Sequence, residues 1–235
     1  MIKRIFSLQE LNQSLDGIKS DVLSGKIKSL AKSYGFDYPF LKFYAQTSPA
    51  AVISLYYSSA VIVGEAAEET ALFLENEFSG EILTSPQNEK VFGAFSHETL
   101  YIMEYEGSAL SDKIPLRADL PYEKVYDILK EGFNISFDDW YVDTCHRVRH
   151  GISKVYTAFD KATATEMFCE DGMSLISLVA VKKKYRGEGL GGALIKALSE
   201  KLSEKGRVFV ICEKALIPFY EKNGYKFSEN CIQMK

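Results

Sequence analysis

No two of the four cysteines, Cys145, Cys169, Cys212 and Cys231, form a C-x-x-C pair. That spacing removes the sequence support for a zinc ribbon, a redox dithiol or a disulfide framework, and the thiols read as reduced, mostly buried small hydrophobes. Long apolar runs are missing too. The most apolar stretch, 50–64, is broken by serines and tyrosines and falls short of the roughly 18 residues that cross a membrane. The start, MIKRIFSLQELNQSL, turns polar at Ser7, Gln9 and Glu10 before any signal-peptide core develops. A soluble cytoplasmic protein with no membrane association is therefore expected. Nor is there an excess of positive charge: 28 Lys and Arg against 32 Asp and Glu give a net charge of -4. That balance argues against a nucleic acid as partner, because the phosphate backbone needs a broadly basic face. With only six prolines, 46% hydrophobic and 26% charged residues, the composition is that of a folded globular chain.

What is present reads as two halves. Apolar residues recur at helical spacing from Leu8 to about Lys32, with Asp16-Gly17 as a joint between two short helices. Strand-like runs at 40–46, 50–57 and 60–63 suggest an antiparallel meander, and a helical pattern over 65–78 leads to a short strand at 81–84. A strand at 100–105 precedes a polar stretch, 106–121, where the domain boundary is placed: residues 1–115 and 116–235. The second half repeats the order. A helix over 122–133 and a short helical or loop segment at 136–142 precede strands at 152–159, 162–169 and 173–181. A helix over 190–205, a strand at 207–212, a helix near 217–222 and a strand from Tyr225 complete it. The expected fold class is α/β with a mixed sheet, carrying a pseudo-duplication.

The halves differ at the crossing from meander to helix. The second has Lys182, Lys183, Lys184, Tyr185, Arg186, Gly187, Glu188, Gly189, Leu190, Gly191 and Gly192, whereas the first has Gly64-Glu65-Ala66-Ala67-Glu68-Glu69. A helix N-terminus offers unpartnered N–H groups and a positive partial charge, so an anion is attracted to the second crossing and repelled from the first. Four glycines at a helix start cost about 1 kcal/mol each unless something must approach closely. The plainer alternative is a solvated basic strand end followed by a glycine packing face. A P-loop is excluded because no Gly-Lys-Ser or Gly-Lys-Thr occurs. A dinucleotide fingerprint conflicts with the antiparallel meander that precedes the glycines.

The run Leu178-Val179-Ala180-Val181 followed by Arg186-Gly187-Glu188-Gly189-Leu190-Gly191 resembles the GNAT acetyltransferase superfamily, whose pyrophosphate motif is Arg/Gln-x-x-Gly-x-Gly/Ala after a strand. A second match is Phe219-Tyr220-Glu221-Lys222-Asn223-Gly224-Tyr225, similar to that superfamily's Phe-Tyr-x-x-x-Gly-Phe/Tyr. The resemblance covers about 117–235 and reaches the first half only in outline. It implies acetyl-CoA as co-substrate, no metal, and direct attack by a primary amine on a small molecule or peptide. It also implies a role for each motif. The backbone of Val179, Ala180 and Val181 would hold the pantetheine arm, Arg186 to Gly192 would bind the pyrophosphate, and Tyr220 would protonate the leaving thiolate, unless it only packs in the core.

Departures from the pattern leave the base unassigned. No acidic residue lies in 173–181, the nearest being Glu166, Glu170 and Asp171, and Glu213 stands where asparagine is common. A non-catalytic acyl-CoA binding module and a transferase for longer acyl groups stay open, as does homodimerisation. The stretch 140–151 holds two of the three histidines. Read as the entrance to a core strand, it supplies Asp143, His146, Arg147, Arg149 and His150 as candidates for the acceptor pocket. A metal site lacks a closed ligand set there, and the adjacent Cys145 and His146 would point apart on an extended chain.

Overall fold

The computed structural model describes residues 1–93, 95–107 and 114–235. The chain is a mixed α/β protein that forms two compact units, residues 1–101 with 229–235, and residues 102–228. The polar stretch 106–121 lies partly outside the described residues.

The first unit begins with β1 (Ile2–Ile5), α1 (Leu8–Leu15) and α2 (Val22–Tyr34). Each helix starts where a side chain satisfies open amides. Ser7 Oγ accepts from the Glu10 N–H at 3.2 Å, and Asp21 with Ser24 forms a capping box. The meander follows as β2 (Leu41–Thr47), β3 (Ala50–Tyr56) and β4 (Ser59–Gly64), all antiparallel. β1 adds to its outer edge against β2, a short strand that the sequence reading missed. The α3 helix (Glu68–Glu77) crosses to β5 (Glu81–Thr84), which lies parallel to β4. Ile53, Ile62, Leu74, Ile82 and Phe92 fill the core beneath that helix. A 3-10 helix, Pro86–Phe92, leads to β6 (His97–Tyr105), whose later residues belong to the second unit.

The second unit repeats the order: α4 (Tyr122–Leu129), α5 (Phe137–Arg149), the antiparallel strands β7 (Lys154–Ala158), β8 (Ala162–Glu170) and β9 (Met173–Val181), the crossing helix α6 (Leu190–Ser203) and the parallel strand β10 (Arg207–Cys212). α7 (Ile217–Lys222) and β11 (Tyr225–Met234) complete it, and the end of β11 returns to the first unit to pair with β5. Leu194, Ile195, Leu198 and Leu202 are the buried stripe of α6, at the three- and four-residue spacing of an amphipathic helix.

The segment 137–149 corrects the sequence reading. The helical alternative holds for 136–142, but the helix runs on to Arg149, through residues read as the entrance to a core strand. Ser136 caps it, accepting from the Asp139 N–H at 3.1 Å, and Trp140, Thr144 and Arg147 bury one side at helical spacing. Acidic Asp138 and Asp139 sit in its first turn and basic His146, Arg147 and Arg149 in its last, as the helix dipole favours.

Candidate active site

The site is built where β9 parts from β10. The parallel ladder runs from Arg207↔Met173 to Val210↔Ile176, while β9 continues to Val181. Two residues beyond the last pair, Leu178 has φ +51, a left-handed conformation unusual for a leucine, and it bends the strand at the point of separation. A 3-10 turn, Lys183–Tyr185, then reverses the chain into Arg186 and the glycines.

Each glycine has its own reason to be there. Gly187 (φ +84) and Gly189 (φ +79) adopt left-handed backbone, and Gly189 is the N-cap of α6. The first helical bond there runs from the Ala193 N–H to the Gly189 carbonyl at 3.0 Å, so the amides of Leu190, Gly191 and Gly192 begin the helix without helical partners. A Cβ on Gly191 would stand 3.2 Å from Val181 Cγ2, and one on Gly192 would stand 2.7 Å from Asn223 Oδ1. The helix start is thus pressed against β9 and against α7.

A cavity of about 520 Å³ lies over this helix start, lined by Val181, Arg186, Gly187, Gly189, Leu190, Gly191 and Gly192. Tyr185, Lys196, Phe219, Lys222 and Asn223 also line it, and the sequence reading had assigned none of these five to the site. Two signals could have found them: Lys196 follows Gly192 by one helical turn, and Lys222 and Asn223 lie inside the Phe-Tyr-x-x-x-Gly motif. Val179 is half-buried, Ala180 is buried in the core under α4, and Glu188 is exposed. Lys161 and Lys184 stand over the Tyr185 ring at 4.2 and 4.7 Å; the hydrogen bond from Lys184 is the main cause that lowers the Tyr185 phenol below its ordinary pKa.

Tyr220, on α7, is buried and packs edge-on against Phe219 (5.1 Å) and Tyr225 (5.4 Å). Burial raises its phenol pKa, and Cys212 at the end of β10 adds to the shift. The Cys212 thiol is itself pushed up to about 11, by burial and then by Glu213. Tyr220 itself is not among the residues that line the cavity, whereas its neighbour Phe219 is.

The α5 candidates divide into two pairs and a free end. Asp143 accepts from Arg147 Nε at 2.8 and 3.0 Å across one turn, and the Arg147 side chain is buried. His146 and His150 stack at 4.5 Å. Arg149 and His150 are exposed at the helix end. None of the five lines the cavity at the glycine turn. Of the acidic residues nearest to β9, Glu166 is buried, accepting from Tyr156 Oη at 3.3 Å with Lys205 at 3.6 Å. Among the described residues, no group of three or more His, Cys, Asp or Glu converges on a metal position, and no helix is long and apolar enough to cross a membrane.

Residues 151–227 match the family model of an acetyltransferase (GNAT) domain. An uncharacterized N-acetyltransferase of Bacillus subtilis (strain 168), YjcF, is 32% identical over 59 residues, which are 24% of this chain and 42% of that protein. The chain therefore spans less than half the length of that curated relative. Solved structures match far more of it. A tandem GNAT protein from the clavulanic acid biosynthesis pathway superposes with a TM-score of 0.63 at 9% identity, covering 100% of this chain and 97% of its own. A GCN5-related N-acetyltransferase from Kribbella flavida gives 0.62 at 14% identity, covering 91% and 93%. At such identities the structures speak for the fold, and the matched segment speaks for the family. The similarity to a GNAT acetyltransferase domain thus lies in residues 151–227.

Proposed function

We propose that residues 116–235 form an N-acetyltransferase domain that moves an acetyl group from acetyl-CoA to a primary amine. One observation carries the reading: the left-handed glycines 187 and 189 lead into the open amides of α6, directly over a cavity of about 520 Å³ edged by Lys196 and Lys222. That arrangement suits a diphosphate, with backbone donors and helix dipole on one side and ammonium charge on the other. When bound, acetyl-CoA supplies the thioester. The amides of Gly187 to Gly192 hold its phosphates, with the charge of Arg186 at the head of the turn, and the backbone of Val179 to Val181, past the strand separation, holds its arm. Tyr220 holds a proton at its phenol oxygen for the leaving sulfur. With no acidic side chain on β9, deprotonation of the amine is assigned to solvent. Asp143 and Arg147 brace α5, which leaves His146, Arg149 and His150 as its groups for an acceptor. The four free cysteines suit a reducing cytoplasm.

The first unit reads as a degenerate repeat of the second. Its crossing from β4 to α3 is plugged by buried side chains. Gln46 Oε1 accepts from the Ala67 N–H at 2.9 Å and from the Thr70 hydroxyl, and Asn88 Oδ1 accepts from the Ala66 N–H at 2.9 Å. The full-length match to a tandem GNAT protein supports the duplication.

Thermal unfolding with and without acetyl-CoA, beside a thiol-release assay against a panel of amines, tests the proposal. Stabilisation with turnover is the expected result. Stabilisation without thiol release from any amine would favour an acyl-CoA binding module, the reading that the acid-free β9 supports. Stabilisation by longer thioesters alone would mark a different acyl donor, and no shift at saturation would remove the cofactor assignment.

A further inference from the structure

The loop between α4 and α5, residues 130–136, grips the cofactor turn at two points through a single residue. The Glu131 carboxylate accepts the Lys183 N–H, and the Glu131 carbonyl accepts from Arg186 Nη2 at 2.7 Å. Arg186 Nε donates in turn to the Val181 carbonyl at 3.0 Å. The guanidinium is therefore a pin between the end of β9 and the loop, with two of its donors already committed. Gly132 packs directly behind it: a Cβ there would lie 3.7 Å from Ala180 Cβ and 3.8 Å from Arg186 Nη2. Further along the same loop, Phe133 and Ile135 pack in the core cluster that includes Ala180 and the bent residue Leu178. One short loop thus touches both the turn that faces the phosphates and the strand at its point of separation.

We propose that Glu131 and Arg186 are positioning residues, a latch that fixes the turn 183–186 so that the amides of α6 meet the diphosphate and that couples this turn to the loop beside the strand opening. The inference rests on the acetyl-CoA reading for its ligand, but the latch itself does not. Electrostatics and the latch predict opposite signs at Glu131. Removing a carboxylate beside an anion site should tighten binding if charge alone matters; removing a hydrogen-bond acceptor that holds the turn should weaken it. At Arg186, lysine keeps the charge but cannot bridge two carbonyls as the planar guanidinium does.

The test has two arms on the full chain. In the ligand-free protein, hydrogen exchange should rise across 130–135 in Arg186→Ala and at the Lys183 amide in Glu131→Ala, with both close to wild type in Glu131→Gln, which keeps an acceptor. In calorimetry, Glu131→Ala and Arg186→Lys should each weaken acetyl-CoA binding about tenfold, one lost charge-assisted hydrogen bond, with Glu131→Gln near wild type. Unchanged exchange in both alanine variants would overturn the latch whatever binds. Tighter binding in Glu131→Ala, or wild-type affinity in Arg186→Lys, would show that these residues act by charge. Wild-type protein that ignores acetyl-CoA would sink the proposed function instead, and the exchange arm would still decide the latch.

Discussion

Gly192 and Asn223 are in contact across the start of α6: a Cβ at 192 would fall 2.7 Å from Asn223 Oδ1 and 3.3 Å from Nδ2. Asn223 cannot readily swing away, being only 5% exposed, with its Nδ2 donating to the Phe219 carbonyl at 2.7 Å. Gly192→Ala should therefore destabilise the protein by about 1–3 kcal/mol, the usual range for overpacking, despite the better helix propensity of alanine. Denaturant unfolding measures this. Asn223→Ala added to Gly192→Ala should recover part of the loss, since the contact is then gone; simple additivity of the two losses would mean the strain lies elsewhere.

Tyr220→Phe removes the phenol proton and leaves the ring packed between Phe219 and Tyr225. Under the proposed mechanism turnover should fall about 100-fold or more, the usual contribution of a positioned acid, with acetyl-CoA affinity preserved. Steady-state kinetics beside calorimetry separate the two. Equal turnover would leave Tyr220 with only its packing role.

The same burial has a consequence for stability at high pH. Tyr156, Tyr220 and Tyr225 all have phenol pKa values raised above the ordinary value, each chiefly by burial. An unfolded phenol loses its proton near pH 10, roughly, while these folded phenols keep theirs, so above that point the unfolded state binds fewer protons and stability falls as pH rises. The contribution is complete below the unfolded pKa. Unfolding free energy should be flat with respect to these groups up to about pH 9 and decline beyond about pH 10. Tyr220→Phe should shallow that decline; an unchanged slope would show that Tyr220 ionises alike in both states.

How much of this could be read beforehand depends on the range of the interaction. The glycine turn was legible because its demands are local: left-handed backbone at Gly187 and Gly189 and a helix start follow within a few residues. The order of meander, crossing helix and following strand was legible from periodicity in both halves, whereas the parallel pairing of that strand comes from the structure. For α5 the start was open between helix and loop and the continuation to Arg149 was missed, although the 140, 144, 147 spacing was there to be used, because its basic residues resembled the approach to a strand. Glu131, Gln46 and Asn88 escaped notice for another reason. Their partners, Lys183, Ala67 and Ala66, are distant in sequence, and no spacing announces such a pairing. The return of residues 229–235 to the first unit is likewise a non-local strand pairing.

Within α5, the Asp143 to Arg147 pair joins a largely buried guanidinium to a partly buried carboxylate. Asp143→Ala removes the carboxylate that accepts from Arg147 Nε, and breaking a buried pair by one partner costs about 3 kcal/mol or more. The expected loss in chemical denaturation is of that order, whereas Arg149→Ala, at the exposed end, should stay within about 0.5 kcal/mol. A small loss for Asp143→Ala would show that solvent or another group replaces the carboxylate.

The two crossings predict a stoichiometry. In the second unit the first amides of α6 open on a cavity; in the first unit the Ala66 and Ala67 amides are taken by Asn88 and Gln46, both nearly inaccessible to solvent. Asn88 is fixed by its own donors to Thr84 Oγ1 (2.8 Å) and the Gly64 carbonyl (3.1 Å). Glu65, Glu68 and Glu69 add negative charge around this crossing, where the other has three lysines and an arginine. Calorimetry should therefore find one acetyl-CoA per chain, and two equivalent sites would contradict the degenerate reading of the first unit. Asn88→Ala should expose the difference between plug and site. It strips the buried Ala66 amide of its acceptor, so stability should drop by about 1–3 kcal/mol while the single acetyl-CoA site keeps its affinity.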